Sequence, residues 1–169
     1  MRLANNLLTV AVLGVLLAVS PLANGKSSDR KQPMDVAADR TDAMLGDDSD
    51  STLYGNVKIT QGSLEVDADK AVIHRKGGDI SQVVLTGSPA TLRQTADNGE
   101  PMMARAQQIV YTLSSDIIVL SGDVVIEQPR GNLRGQTIKY DLNTGRLDGG
   151  GDGNRVQMRI LPKSGGSSN

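Results

Sequence analysis

The sequence predicts an all-β fold built from an internal repeat, and three observations carry this. First, Leu53-Tyr54-Gly55-Asn56-Val57-Lys58-Ile59-Thr60-Gln61 recurs as Leu120-Ser121-Gly122-Asp123-Val124-Val125-Ile126-Glu127-Gln128, with five of nine positions identical at an offset of 67 residues. In both copies Leu, Gly, Val and Ile fall two apart and so share one face of a strand. The flanks repeat too: Ala68-Asp69-Lys70-Ala71-Val72-Ile73 matches Gly135-Gln136-Thr137-Ile138-Lys139-Tyr140 at the same offset, and Ala38-Asp39-Arg40 matches Ala106-Gln107-Gln108 at 68. A period this long spans several strands packed against their copy. Second, no segment holds a 3.6-residue apolar period over three turns. Third, short alternating runs are separated by Gly, Asn and Asp turns, which favours antiparallel sheets over βαβ units.

Taken in order, the chain begins with Arg2 and an apolar run over residues 7–19, broken only by Thr9 and Gly14 and followed by Ser20-Pro21 and Ala23-Asn24-Gly25. Residues 1–25 read as a secretory signal peptide cleaved after Gly25, because the run is shorter than the roughly 20 apolar residues of a spanning helix. Residues 26–31 are polar and expected to be flexible, the domain to cover 32–162, and 163–169 to be a flexible tail. Gln32-Pro33 opens an extended segment, Met34-Asp35-Val36. Residues 41–51 are polar, with Asp47, Asp48 and Asp50 close together. Residues 53–60 form a strand, and so do 64–68, with Leu64, Val66 and Ala68 on one face and Glu65, Asp67 and Asp69 on the other. The consecutive Ala71-Val72 signals a bulge before Ile73. A strand over 80–86 is expected to end at Gly87-Ser88-Pro89, with 90–94 as a separate one. Asn98-Gly99 marks a hairpin turn, and strands follow over 103–113, 116–120, 123–128, 133–142 and 155–161, the last aligning Val156, Met158 and Ile160.

Composition excludes several function classes. The chain has no Cys, Phe or Trp, only three tyrosines and a formal net charge of −1. It therefore has no thiol chemistry, disulfide or thiolate metal site, and no basic excess to suit nucleic acid. His74 is the only histidine, and it lacks the Gly-x-Ser-x-Gly context of a nucleophilic site. Asp67 and Asp69 point outward as solvated sheet surface. The 47–50 loop lacks the Gly and distal Glu of a calcium loop. The glycines of 149–153 precede a strand, not the helix N-terminus of a phosphate cradle. No catalytic residue, metal or cofactor is implied. What remains is a set of strands with aliphatic stripes on one face and charges on the other. Rolled together they enclose an apolar interior, which is either a packed core or a space that buries acyl chains at about 0.8 kcal/mol per methylene.

Six segments carry a resemblance: Gln32-Pro33-Met34-Asp35-Val36, Gly55-Asn56-Val57-Lys58-Ile59-Thr60-Gln61-Gly62, Ala68-Asp69-Lys70, Pro89-Ala90-Thr91, Asp97-Asn98-Gly99-Glu100-Pro101 and Val119-Leu120-Ser121-Gly122-Asp123. In order and approximate spacing they resemble the OstA-like family of periplasmic lipopolysaccharide-transport proteins, over about residues 32–162. The resemblance implies a rolled, open β-jellyroll of many short antiparallel strands in the periplasm. It implies a non-enzymatic carrier that holds lipopolysaccharide acyl chains inside and stacks head to tail into a bridge. The bridge would run from an inner-membrane bitopic partner, LptC, to the outer-membrane translocon, LptD. An open sheet edge, normally an aggregation liability, would be the joint, made by strand addition. The lipid-binding residues it implies are Met34, Val36, Leu92, Tyr111 and Leu113. The N-terminal strand and Val156, Met158 and Ile160 would form the stacking ends. Leu92-Arg93 stands where the family is often aromatic, and the 47–50 loop is more acidic than the family pattern; both bear on headgroup preference. The alternative is a structural β-repeat protein that self-associates without lipid. On the carrier reading, Leu92→Asp is expected to abolish lipid binding and leave β-structure intact, checked by a lipid-binding assay beside circular dichroism.

Overall fold

A computed structural model describes residues 29–44, 46–95, 99–150 and 155–162. The expected signal peptide and the 163–169 tail lie outside the described residues. A 3-10 turn over Asp29–Lys31 precedes ten strands: β1 Met34–Ala37, β2 Arg40–Ala43, β3 Asp50–Gln61, β4 Leu64–Lys76, β5 Asp79–Thr95, β6 Pro101–Thr112, β7 Ile117–Gln128, β8 Gly131–Asp141, β9 Leu147–Gly149 and β10 Gln157–Ile160. Every pairing is antiparallel, in one sheet with the order β1-β3-β4-β5-β6-β7-β8-β10. β2 continues the far end of β3, and β9 the far end of β8.

The six long strands do not run straight. Their registers shift between Tyr54 and Val57, Asp67 and Lys70, Thr86 and Ala90, Arg105 and Gln108, and Ser121 and Val124. These shifts fall in one line across the sheet. Each is a bulge, which bends its strand and sharpens the local twist, so the line is a crease that divides the sheet into two halves. The first half carries residues 57–61, 64–67, 90–95, 101–105, 124–128 and 131–135. The second carries 50–54, 70–76, 79–86, 108–112, 117–121 and 137–141. At each edge the chain supplies one short strand per half, β1 and β2 on one side and β10 and β9 on the other.

The repeat in the sequence is the repeat of this crease. Gly55 and Gly122 sit at φ +72 and +80, followed by Asn56 and Asp123 at +45 and +49. The side chain of Asp39 covers Gly55 as that of Gln107 covers Gly122. Asn56 Nδ2 donates to Asp39 Oδ2 at 2.8 Å, and Gln107 Nε2 to Asp123 Oδ2 at 3.0 Å. Between them, Ser88 N donates to Asp69 Oδ2 at 3.1 Å across the same line. On the inner side the residues beside the crease are small: Ala68, Ala71, Ala90 and Ala106 are buried. Small side chains on the concave side let the two halves close on one another. The core is then the alternate residues of both halves, Val57, Ile59, Leu92 and Ile126 from the first, and Leu85, Ile109, Ile118 and Ile138 from the second among them.

Two expectations give way here. Gly87-Ser88-Pro89 does not end a strand, because β5 continues through it to Thr95, and the expected pair 116–120 and 123–128 is the single β7. The glycines read as turn signals are bend signals: Gly122 supplies the left-handed backbone that a bulge and a turn share, at φ +80, and Gly87 lets the backbone of Ala90 approach, where an added Cβ would lie 2.7 Å from Ala90 N. Asp29–Lys31 forms a 3-10 turn, and Asp29 accepts a hydrogen bond from Ser63 N. An added Cβ would lie 2.5 Å from Asp39 at Gly55 and 2.6 Å from Gln107 at Gly122. Gly55→Ala and Gly122→Ala are therefore each expected to lower unfolding free energy by at least the about 1–2 kcal/mol of left-handed strain. Gly145→Ala, at φ +70 with open space around it, bears the strain alone and should cost less; urea titration of the three variants checks the order.

Candidate functional site

Folding at the crease brings the outer rims of the halves together along a seam. The first half contributes the turns near residues 61–64 and 128–131 and the ends of β5 and β6 at Thr95 and Pro101, and the second the turns near 112–117 and 141–147. At one end the Asp29–Lys31 turn straps the rims. Asp29 Oδ2 accepts from Ser63 N at 3.0 Å and from Ser63 Oγ at 2.5 Å, holding the first half. Arg30 Nε meets Asp116 Oδ2 at 3.1 Å and its guanidinium donates to Leu142 O at 3.0 Å, holding the second. Gln61 Nε2 donates to the carbonyls of Arg30 and Gln32, both at 3.3 Å. Farther along, Tyr140 Oη donates to Gln94 Oε1 at 3.1 Å, joining β8 to β5. Gln61 and Gln94 are the buried polar side chains among the described residues. Both are spent on the seam, which meets the rule that buried polar groups find partners.

Beneath the strap the interior is closed. Met34, Ile59, Val66, Leu85, Ile109 and Tyr111 are among the walls of a cavity of only about 10 Å³, room for about one water-sized sphere. The Tyr111 hydroxyl lies 3.4 Å from Asp116 Oδ1. Burial first, then the charge of Asp116 and its hydrogen bond, push its pKa up to about 12, with Arg30 acting the other way.

Of the residues implied for lipid contact, Met34 and Tyr111 share this cavity. Val36 lies opposite Ile59 at the sheet edge and is 37% exposed. Leu113 is half-buried beside the turn after β6 and packs against the core. Leu92, at 0% exposure between Val66 and Ala104, is central core outside that cavity. Leu92→Asp therefore places a carboxylate where it has no water, and it reports on folding before it reports on lipid. The acidic loop and the histidine are also accounted for: Asp48 Oδ1 accepts from Gly77 N at 2.8 Å and Asp50 pairs with His74 at 2.7 Å, clasping the turn between β4 and β5. The outer face carries Lys58 against Glu65 and Asp67, with Arg93 reaching Asp67 at 2.9 Å.

Sequence reasoning missed a second apolar opening. At the far end of the seam Ile126, Leu133, Leu147, Met158 and Ile160 line a hollow of about 270 Å³. The alternation of Met158 and Ile160 was visible in the sequence, but the wall they share with Leu147 depends on the crease.

Two measurements test the strap. Tyr111 ionises above pH 10 when unfolded and near 12 when folded, so the stability it contributes is complete below pH 10 and is lost as pH rises through about 12. Tyr111→Phe keeps the ring and is expected to flatten that alkaline decline. Arg30→Ala removes charged hydrogen bonds to Asp116 and Leu142 and is expected to cost about 1.5–3 kcal/mol, with faster amide exchange at the 112–117 turn than at the crease.

The family described as LptA/(LptD N-terminal domain) LPS transport protein matches residues 35–146. Lipopolysaccharide export system protein LptA of Escherichia coli (strain K12) is 33% identical over 158 residues, covering 92% of this chain and 85% of its own. LptA of Haemophilus influenzae is 30% identical over 166 residues, covering 96% and 95%. A crystal structure of LptH of Pseudomonas aeruginosa, described as the LptA homologous periplasmic component of the lipopolysaccharide transport device, aligns with a TM-score of 0.72 at 25% identity, over 80% of this chain and 99% of that one. A creased antiparallel sheet and a family match across most of the domain agree: the chain belongs to the LptA/LptD N-terminal-domain family of lipopolysaccharide transport proteins.

Proposed function

We propose that this protein is a periplasmic carrier and bridge that shields lipopolysaccharide acyl chains inside its folded sheet on the way from the inner to the outer membrane. One observation carries the reading: an aliphatic interior closed along one side by a seam of polar contacts, not by covalent bonds. Parting the seam exposes a continuous apolar surface. An acyl chain of about a dozen carbons entering it gains roughly 10 kcal/mol at 0.8 kcal/mol per methylene, enough to offset loss of the seam contacts. The family is one of transport proteins rather than enzymes, and the role is binding and handing on.

The edges support the bridge. β1 and β2 leave one side of the sheet open, and β9 and β10 the other. Such edges accept an added strand. In this reading copies stack head to tail, with LptC joined at one end of the stack and LptD at the other. Met158 and Ile160, 66% and 70% exposed on β10, lie on one of those joints.

A second reading, a structural β-repeat protein that self-associates without lipid, is favoured by the closeness of the interior packing. A photo-crosslinking residue placed at Tyr111 in living cells separates the two. The carrier reading expects a lipopolysaccharide adduct at Tyr111 and none at the outward-facing Asp67. No adduct at Tyr111 or Val36 in folded, exported protein would favour the structural reading.

A further inference from the structure

The Asp29–Lys31 strap belongs to the seam and not to the sheet. Its three residues lie in no strand, and none of them is buried. Gln32-Pro33 joins it to β1, and proline has no N–H with which to extend the β1 ladder toward it. Gln32 N donates to Asp29 O at 2.9 Å, which closes the turn on itself. Side chains hold it down. On the first half, the Asp29 carboxylate caps the turn after β3 through Ser63. Gly62 makes room for that approach: it sits at φ +58, and an added Cβ would lie 2.5 Å from Asp29 Cγ. On the second half, the Arg30 guanidinium reaches Asp116 Oδ2 at 3.1 Å and Leu142 O at 3.0 Å. Leu142 N in turn donates to Asp116 O at 2.9 Å, so the turn before β7 and the end of β8 are tied together and Arg30 grips them as one unit.

The strap is covalently continuous with β1, an edge strand of the first half, so its Arg30 contacts exist only while the two rims meet. Contacts made only in the closed state oppose any cargo that needs the open one. The geometry points to the strap as an autoinhibitory latch: Arg30, carried by the first half, holds the seam shut through Asp116 and Leu142 of the second, and its release is the step that admits an acyl chain. This rests on the carrier reading and adds regulation to it. The consequence has a sign that a merely structural contact would not give. Weakening the latch lowers the stability of the closed fold and yet raises lipid affinity, because apparent affinity scales with the population of the binding-competent state.

The test measures equilibrium binding of the purified full chain to bisphosphorylated lipid A in neutral detergent micelles, beside urea titration. Arg30→Ala is expected to bind about tenfold more tightly than the unaltered protein, the ratio that one charged hydrogen bond sets, while its urea midpoint falls. Lys58→Ala removes ion pairs to Glu65 and Asp67 within one half and is expected to leave lipid affinity unchanged. Arg30→Cys with Ser115→Cys then tests closure directly. The chain has no cysteine of its own, and Ser115 is exposed beside Asp116, so a bismaleimide with a reducible linker joins those two positions and pins the strap to the second half. The linked protein should bind lipid at least about tenfold more weakly than the same molecules after the linker is reduced, a comparison that does not depend on what the substitutions do to folding. If Arg30→Ala binds no more tightly than the unaltered protein, or linked and reduced protein bind alike, the latch is overturned, while lipid binding by the unaltered protein leaves the carrier reading in place. Failure of both the unaltered protein and Arg30→Ala to bind lipid overturns both.

Discussion

The line of bulges is the constraint on which the rest of the structure depends. Six strands of 11 to 17 residues form one sheet, and such a sheet has one apolar face with nothing to cover it. Most β domains solve this with a second sheet. Here the same strands bend at one line, and each half becomes the cover of the other. The left-handed Gly-Asn and Gly-Asp pairs, the small alanines inside and the Asp39, Asp69 and Gln107 contacts outside all serve that fold line.

A sheet closed this way has a fold line on one side and a seam on the other, and the two differ in kind. The fold line is backbone geometry and cannot open without unfolding. Among the described residues the seam is a set of polar contacts near the rim, the Arg30–Asp116 ion pair, the Asp29–Ser63 and Gln61 contacts and the Tyr140–Gln94 hydrogen bond among them. Contacts of this type contribute about a kilocalorie or two each, against an aliphatic interior that gains from any apolar guest. Local opening at the seam is thus much cheaper than global unfolding. A chain without cysteine has no disulfide to lock it, and for a carrier that is an advantage.

Much of this was legible in the sequence. The alternation of Leu64, Val66 and Ala68 against Glu65 and Asp67 assigns faces directly, and the 67-residue repeat matches β3 to β7 and β4 to β8. What sequence reading lost was everything set by contacts between distant rims. Gly87-Ser88-Pro89 and Gly122-Asp123 look like turns because local chemistry cannot tell a bend within a strand from the end of one. Arg30 looks like part of a polar leader until Asp116 and Leu142, more than eighty residues away, arrive beside it. For Leu92, alternation reports which face it is on, and only the fold shows how deep it lies.

The tyrosines carry a last consequence. With no tryptophan or phenylalanine in the chain, its ultraviolet emission belongs to three phenol rings. Tyr111, whose hydroxyl meets Asp116 under the strap, and Tyr140, bonded to Gln94, both sit on the seam. Tyr54 stands on the outer face between Arg40 and Lys70, at 4.7 and 5.4 Å. Two of the protein's three natural chromophores thus mark the line that parts in the proposed loading of cargo, while the third stays on the back of the sheet as an internal reference. The molecule is its own optical gauge of opening, with no label attached.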